Sequence, residues 1–176
     1  KLFRTGARPA AEYGSQIQGL APTELSRLRT MAANTSGVCG SGRCRATAIA
    51  IGHGPANDPM VTSSISAMAE WFLAWERWPQ YRKGGSRVWD KLVEKLKPEA
   101  QRWMRVRGPC GMVIATLFDL GWLPITPTCW EDPHNCKWVY QSGYPLDELW
   151  RELRKQLNTA IWQQAAKHHF GTGLAA

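Results

Sequence analysis

The sequence predicts a mainly α-helical chain, a helical bundle that carries one small β-hairpin near residues 128–140. Three observations predict it. Apolar residues recur at helical spacing through most of the chain. One stretch, "WLPITPTCWEDPHNCKWVYQSGYP", breaks that spacing with prolines at 124, 127, 133 and 145, which forbid a helix. Ten tryptophans supply the broad rings that helix–helix packing or a half-buried interface uses.

The elements follow in order. After Pro22, Thr23 is the expected N-cap of a helix whose inner face is Leu25, Leu28, Met31 and Ala32, ending near Ser36. "SGVCGSGRCRA" reads as a Gly/Ser-rich loop, and "TAIAIGHGPAN" as a short segment leading to Asp58-Pro59. That pair is a helix start: an N-cap aspartate followed by proline at the first helical position. Ile65, Met68, Ala69, Phe72 and Trp75 then form one stripe, with Trp71 and Trp78 beside it, up to Trp78-Pro79. "YRKGGS" is expected to be a loop, with Ser86 capping a helix that turns Val88, Trp89, Leu92 and Leu96 inward. Pro98 restarts a short helix, "EAQRWMRVR".

Gly108-Pro109 opens "CGMVIATLFDLG", apolar on all sides and therefore the central buried helix, with Gly121 as its stop. Trp130 and Trp138 flank the turn Asp132-Pro133-His134-Asn135 of the hairpin. Leu146, Leu149, Trp150, Leu153, Leu157 and Ile161 mark a final long helix. Its acidic start (Asp147, Glu148) and basic end (Lys167, His168, His169) suit the helix dipole. A bundle over 1–127 and a hairpin plus long helix over 128–176 are read as one continuous domain, the size 176 residues allow.

Charge is uneven. The formal net charge of +8 divides into +5 over residues 1–57, +3 over 58–105 and zero over 106–176. Excess positive charge suits a polyanion, and it equally suits a solvated surface. The basic residues fall in groups: Arg27, Arg29, Arg43 and Arg45; then Arg82, Lys83 and Arg87; then Arg102, Arg105 and Arg107. Guanidinium forks bind phosphate and aromatic rings stack bases, so the first two groups are the candidate nucleic-acid contacts.

Catalytic chemistry finds little to use. A polymerase or nuclease centre needs clustered carboxylates to hold two divalent ions, yet no Asp-Asp pair occurs. Asp58, Asp119 and Asp132 each fit a cap, a helix end or a turn. Cys129, His134 and Cys136 share the hairpin, but the Cys39/Cys44 and Cys129/Cys136 spacings are wide for structural zinc. Cys110 at a helix start would be activated if exposed; the apolar helix it begins argues for burial. His53 and the His168/His169 pair have no Asp, Ser or Cys partner evident in the sequence. No catalytic residue, metal or cofactor is expected. Five cysteines without dense spacing do not make a secreted disulfide framework, and no apolar run reaches the ~20 residues of a membrane span.

A family resemblance adds to this reading. Lys1 to Gly6, Tyr13-Gly14, Gly19 to Pro22 and Leu25 to Arg29 resemble the segment after the palm in reverse transcriptases of non-LTR retroelements, dinoflagellate type. "RVRGPCGMVIATLFDLGW", Trp130-Glu131-Asp132-Pro133 with Trp138, and "IWQQAAKHHFGTGL" match in the same order. A glycine is expected in place of Asn135 or Cys136, so the cysteine pair of the hairpin departs from the family's tight turn. The resemblance implies a retrotransposon-derived thumb or connector: a non-catalytic piece, cut from a preceding polymerase domain, that packs beside an RNA or RNA–DNA duplex. A second expectation, of another class, is a co-opted structural subunit held by protein partners in a large organellar or membrane-bound assembly. The compartment would be nucleus or cytoplasm in the first case and an organelle in the second.

Overall fold

The computed structural model describes residues 19–38, 42–98, 100–141 and 146–169, with 6, 9, 10, 13 and 14 besides. Most of the opening motif, Cys39, the closing Phe170 to Ala176 and the side chains of Lys167, His168 and His169 lie outside the described residues. Six α-helices and one sheet are described: α1 (Pro22–Asn34), α2 (Arg45–His53), α3 (Pro59–Arg77), α4 (Arg82–Leu96), α5 (Gly108–Asp119), β1 (Leu123–Thr126), β2 (Cys129–Glu131), β3 (Lys137–Val139) and α6 (Asp147–His169). The mainly α architecture with a small antiparallel sheet is the expected one. The chain divides into two compact units, one holding Leu20–Ser63 and the segment from Glu152 on, the other Ser64–Arg151.

In the first unit, α1 starts two positions earlier than a Thr23 cap suggested. Pro22 takes the first helical position, so the cap is Ala21, whose N–H donates to the Glu24 carboxylate at 3.2 Å. Leu28, Ala32 and Ala33 of α1 bury against Ala48 and Ile49 of α2. Met31, expected inside, is 47% exposed, because the buried face runs through Leu28, Arg29 and Ala32 instead. "TAIAIGH" becomes a true helix on the strength of that packing. Small residues let the two helices approach closely. A Cβ on Gly52 would lie 2.4 Å from the Ser36 carbonyl oxygen, a backbone atom that cannot rotate away. Gly52→Ala should therefore cost about 1–3 kcal/mol, the range for overpacking, read as a lowered urea midpoint at unchanged slope.

The second unit is built on aromatics. α3 starts at the expected Asp58-Pro59 boundary, where Asp58 Oδ1 accepts the Met60 N–H at 2.9 Å. Along α3, Trp71 and Phe72 are buried. Trp71 stacks on Trp89 at 5.6 Å, and Phe72 packs on Trp130 and Tyr140 at 4.9 and 4.4 Å. The ring N–H groups of Trp71 and Trp89 donate to the carbonyls of Pro127 and Pro124 at 2.9 and 3.2 Å.

Two expectations need correction in this unit. "YRKGGS" is not a loop: α4 begins at Arg82 and continues through Gly84 and Gly85. Room explains the glycine, because a Cβ at Gly85 would sit 3.0 Å from the Trp75 ring. Ser86 is accordingly inside the helix, donating back to the Arg82 carbonyl at 3.0 Å rather than capping. Val88, expected inside, is 50% exposed, while Trp89 and Leu96 are fully buried. The proposed helix after Pro98 is only a 3-10 turn, Arg102–Arg105. α5 is the central buried helix as expected, with residues 111–117 all buried, and Gly121 ends it at φ +75°.

The hairpin gains a third strand. β1 pairs antiparallel with β2, and β2 with β3, setting Trp130 opposite both Pro124 and Trp138. β1 went unseen because Pro124 and Pro127 punctuate it; an edge strand tolerates proline. Asp132 organises the β2–β3 turn. Its Oδ1 accepts the N–H groups of His134 and Cys136 at 2.8 and 2.9 Å, and its Oδ2 accepts the Trp138 ring N–H at 3.1 Å. Burial alone would raise this carboxyl, but the bonds from Trp138, Cys136 and His134 outweigh it and hold the pKa below the ordinary 3.8. A depressed carboxyl contributes stability that is whole above its unfolded value and lost as pH falls through the folded one. Asp132→Asn should thus be less stable than the parent at neutral pH and lose less on acidification below pH 3.8. Urea midpoints measured from neutral pH down to acid test this.

α6 carries Leu149 in the second unit, then Leu153, Leu157 and Ile161 in the first, all buried on the expected stripe. Among the described residues, no helix is long and apolar enough to cross a membrane.

Candidate nucleic-acid interface

Arg29 sits on the buried face of α1, only 5% exposed. Its Nε and Nη2 hold the Asp58 carboxylate through bonds of 2.9–3.1 Å, a bidentate pair that is buried on both sides. This corrects its assignment to an exposed basic face: most of its fork is committed to folding. Its Nη1 bonds no acceptor among the described residues.

Arg43 and Arg45 flank the start of α2. Arg43 donates to the carbonyl of Val38 at 2.7 Å and to the Asn34 side chain. Arg45 donates to the carbonyl and hydroxyl of Ser26 at 3.2 and 2.9 Å and to the Thr30 hydroxyl at 3.2 Å. All these partners are neutral, so among the described residues neither guanidinium is balanced by a bonded carboxylate. Burial pulls the Arg45 pKa down, and the like charge of Arg29 adds to this, with Asp58 and Cys44 opposing.

Arg29, Arg43 and Arg45 meet around a cavity of about 280 Å³ whose other walls include Cys44, Ile161 and Gln164. α2 points its first turn here with no acidic residue in it. The positive end of the helix dipole favours an anion at such a terminus. Burial raises the Cys44 thiol, but bonds from the Thr47 side chain and the N–H groups of Thr47 and Ala46, helped by Arg29, bring it below the ordinary 9.0. Cys44 and Gln164 were not singled out from sequence. Gln164 lies three positions beyond the buried Ile161, so the α6 stripe could have pointed to it.

The remaining candidates are not among the residues that line this cavity. Arg27 is exposed on α1 and does not line it. In the other unit, Arg82 donates through Nε to the Trp75 carbonyl at 2.9 Å, closing the end of α3. Lys83 and Arg87 are exposed four residues apart on α4, hence on one helix face. Arg102 is buried on the Leu96 carbonyl at 2.8 Å and paired with Asp119, whose other oxygen accepts the Trp103 ring N–H at 2.7 Å.

The groups weighed for catalysis have structural partners. Asp58 holds Arg29, Asp119 holds Arg102, and Asp132 holds its turn. Burial pushes the Cys110 thiol up to about 12, so it is inert at neutral pH. Cys129 and Cys136 are free thiols. Among the described residues, no group of three or more His, Cys, Asp or Glu side chains could hold a metal ion. No protein-family model, curated protein or solved structure matches the chain.

Proposed function

We propose that this chain is a non-catalytic nucleic-acid-contacting domain, akin to the thumb or connector of a non-LTR retroelement reverse transcriptase. Its activity is sequence-independent contact with the phosphates of RNA or of an RNA–DNA duplex. One observation carries the reading: three arginines gather at a cavity beside a helix N-terminus, two of them without a bonded carboxylate among the described residues. Three guanidinium groups repel one another, and phosphate oxygens relieve that repulsion while taking bidentate bonds.

Lys83, Arg87 and Arg27 add exposed charge that can follow a backbone without reading bases. In gel-shift titrations with an RNA–DNA duplex, Arg43→Ala/Arg45→Ala should weaken binding equally for unrelated sequences, and Lys83→Ala/Arg87→Ala should do so to a lesser degree. Circular dichroism of each variant should match the parent. Duplex binding that ignores both pairs of substitutions would remove the proposal.

A second reading, a co-opted structural subunit, draws on a different surface. Leu73, Trp78 and Tyr81 are 56%, 47% and 69% exposed, and Leu73 and Trp78 border a concavity of about 410 Å³ with Glu70, Glu76 and Arg77. Large apolar side chains around a hollow suit a protein partner. A purified chain that self-associates and ignores nucleic acid would favour this reading.

A further inference from the structure

We infer that the arginine-lined cavity at the start of α2 is a pocket for a phosphate monoester, the phosphorylated end of a nucleic-acid strand, rather than a track for its internal backbone. The inference rests on the nucleic-acid reading and narrows it.

Charge comes first. Arg29 is neutralised by Asp58, which leaves Arg43 and Arg45 as two positive charges bonded, among the described residues, only to neutral oxygens. A terminal phosphate carries about −1.5 to −2 at neutral pH, whereas an internal phosphodiester carries a single charge. The dianion is the complement. Oxygens come second: a monoester has three free oxygens, an internal phosphodiester two. Three guanidinium groups border the cavity, and Arg29 contributes an Nη1 that bonds no acceptor among the described residues. The first turn of α2 adds a positive dipole end.

Size comes third. At about 280 Å³ the cavity falls just below the ~300–1,000 Å³ typical of small-ligand sites. It accommodates one phosphate with part of its terminal nucleoside, for which Ile161 offers apolar contact. Cys44 stands on the wall as a built-in reporter. Its thiolate is the nucleophile toward alkylating agents, and an anion seated beside it both shields it and disfavours its ionisation.

The full 176-residue chain supplies the test. Binding of one RNA oligonucleotide carrying either a 5′-phosphate or a 5′-hydroxyl is measured by fluorescence anisotropy, with inorganic phosphate as competitor. The phosphorylated strand should bind at least about tenfold tighter, the value of one charge-assisted contact set. The advantage should vanish in Arg43→Ala/Arg45→Ala and shrink in Arg45→Lys, which keeps charge but loses the fork. Peptide mapping of iodoacetamide adducts should show Cys44 protected by the phosphorylated strand and not by its 5′-hydroxyl twin. That readout uses the unaltered chain and decides the matter if a variant misfolds. Equal binding of the two strands overturns the pocket while the nucleic-acid reading stands. Binding of neither overturns both. Protection of Cys44 by inorganic phosphate, with no advantage for the phosphorylated strand, assigns the cavity to free phosphate and overturns recognition of a strand end.

Discussion

Asp58→Ala will lower the stability of the chain by about 3–5 kcal/mol, the loss seen when a buried ion pair is broken by removing one partner. Both side chains are almost wholly buried, and the carboxylate takes two donors of the Arg29 fork. Truncation strands a guanidinium that is only 5% exposed in the first unit, with its carboxylate partner gone. Asp58 also accepts the Met60 N–H at the start of α3, and loss of such a cap costs about 1 kcal/mol on its own. The double variant Arg29→Leu/Asp58→Ala should recover part of the loss, since no charge is left behind. Urea unfolding followed by far-ultraviolet circular dichroism measures both. An Asp58→Ala variant within 1 kcal/mol of the parent would mean that the ion pair does not hold α1 to the start of α3.

Trp89→Ala is the second large effect, at about 3–5 kcal/mol for an aromatic removed from a packed core. Trp89 is fully buried on α4, its ring stacked on Trp71 and its N–H bonded to the Pro124 carbonyl. Its removal opens a cavity between α3 and β1 and leaves that carbonyl without its donor. Trp89→Phe keeps most of the ring but not the N–H, and should lose less. Tryptophan fluorescence during urea unfolding separates the two, because Trp71 loses its stacking partner in one and keeps an aromatic neighbour in the other.

What the sequence revealed depended on whether the cause lay nearby in the chain. Asp58-Pro59 needs no distant partner to start a helix, and the apolar run of α5 can only be buried. The stripe from Leu149 to Ile161 was equally plain. Gly84-Gly85 misled because glycine locally signals a loop, whereas the space it frees is taken by the Trp75 ring, ten residues back from Gly85. Arg29 and Arg102 misled in a related way. Counted as charge they look like surface, but Arg29 falls four positions after Leu25 and three before Ala32, squarely on the apolar face of α1. A lone charge on such a face signals a buried partner, and Asp58 is that partner 29 positions later.

The candidate site was half legible. Arg43 and Arg45 announced themselves through a basic run after a Gly-rich stretch. The cavity they line was not visible, since it requires α6 to bring Ile161 and Gln164 to the start of α2 from more than a hundred positions away. Sequence spacing holds no trace of that meeting.

The most direct test of the nucleic-acid role is the salt dependence of RNA–DNA duplex binding, compared between the parent and Arg43→Ala/Arg45→Ala. Each arginine that neutralises a phosphate releases counterion, so a plot of log affinity against log salt should lose about one unit of slope per arginine removed, about two in all. A slope that is the same in both proteins, or a parent that binds no duplex at low salt, would contradict the account.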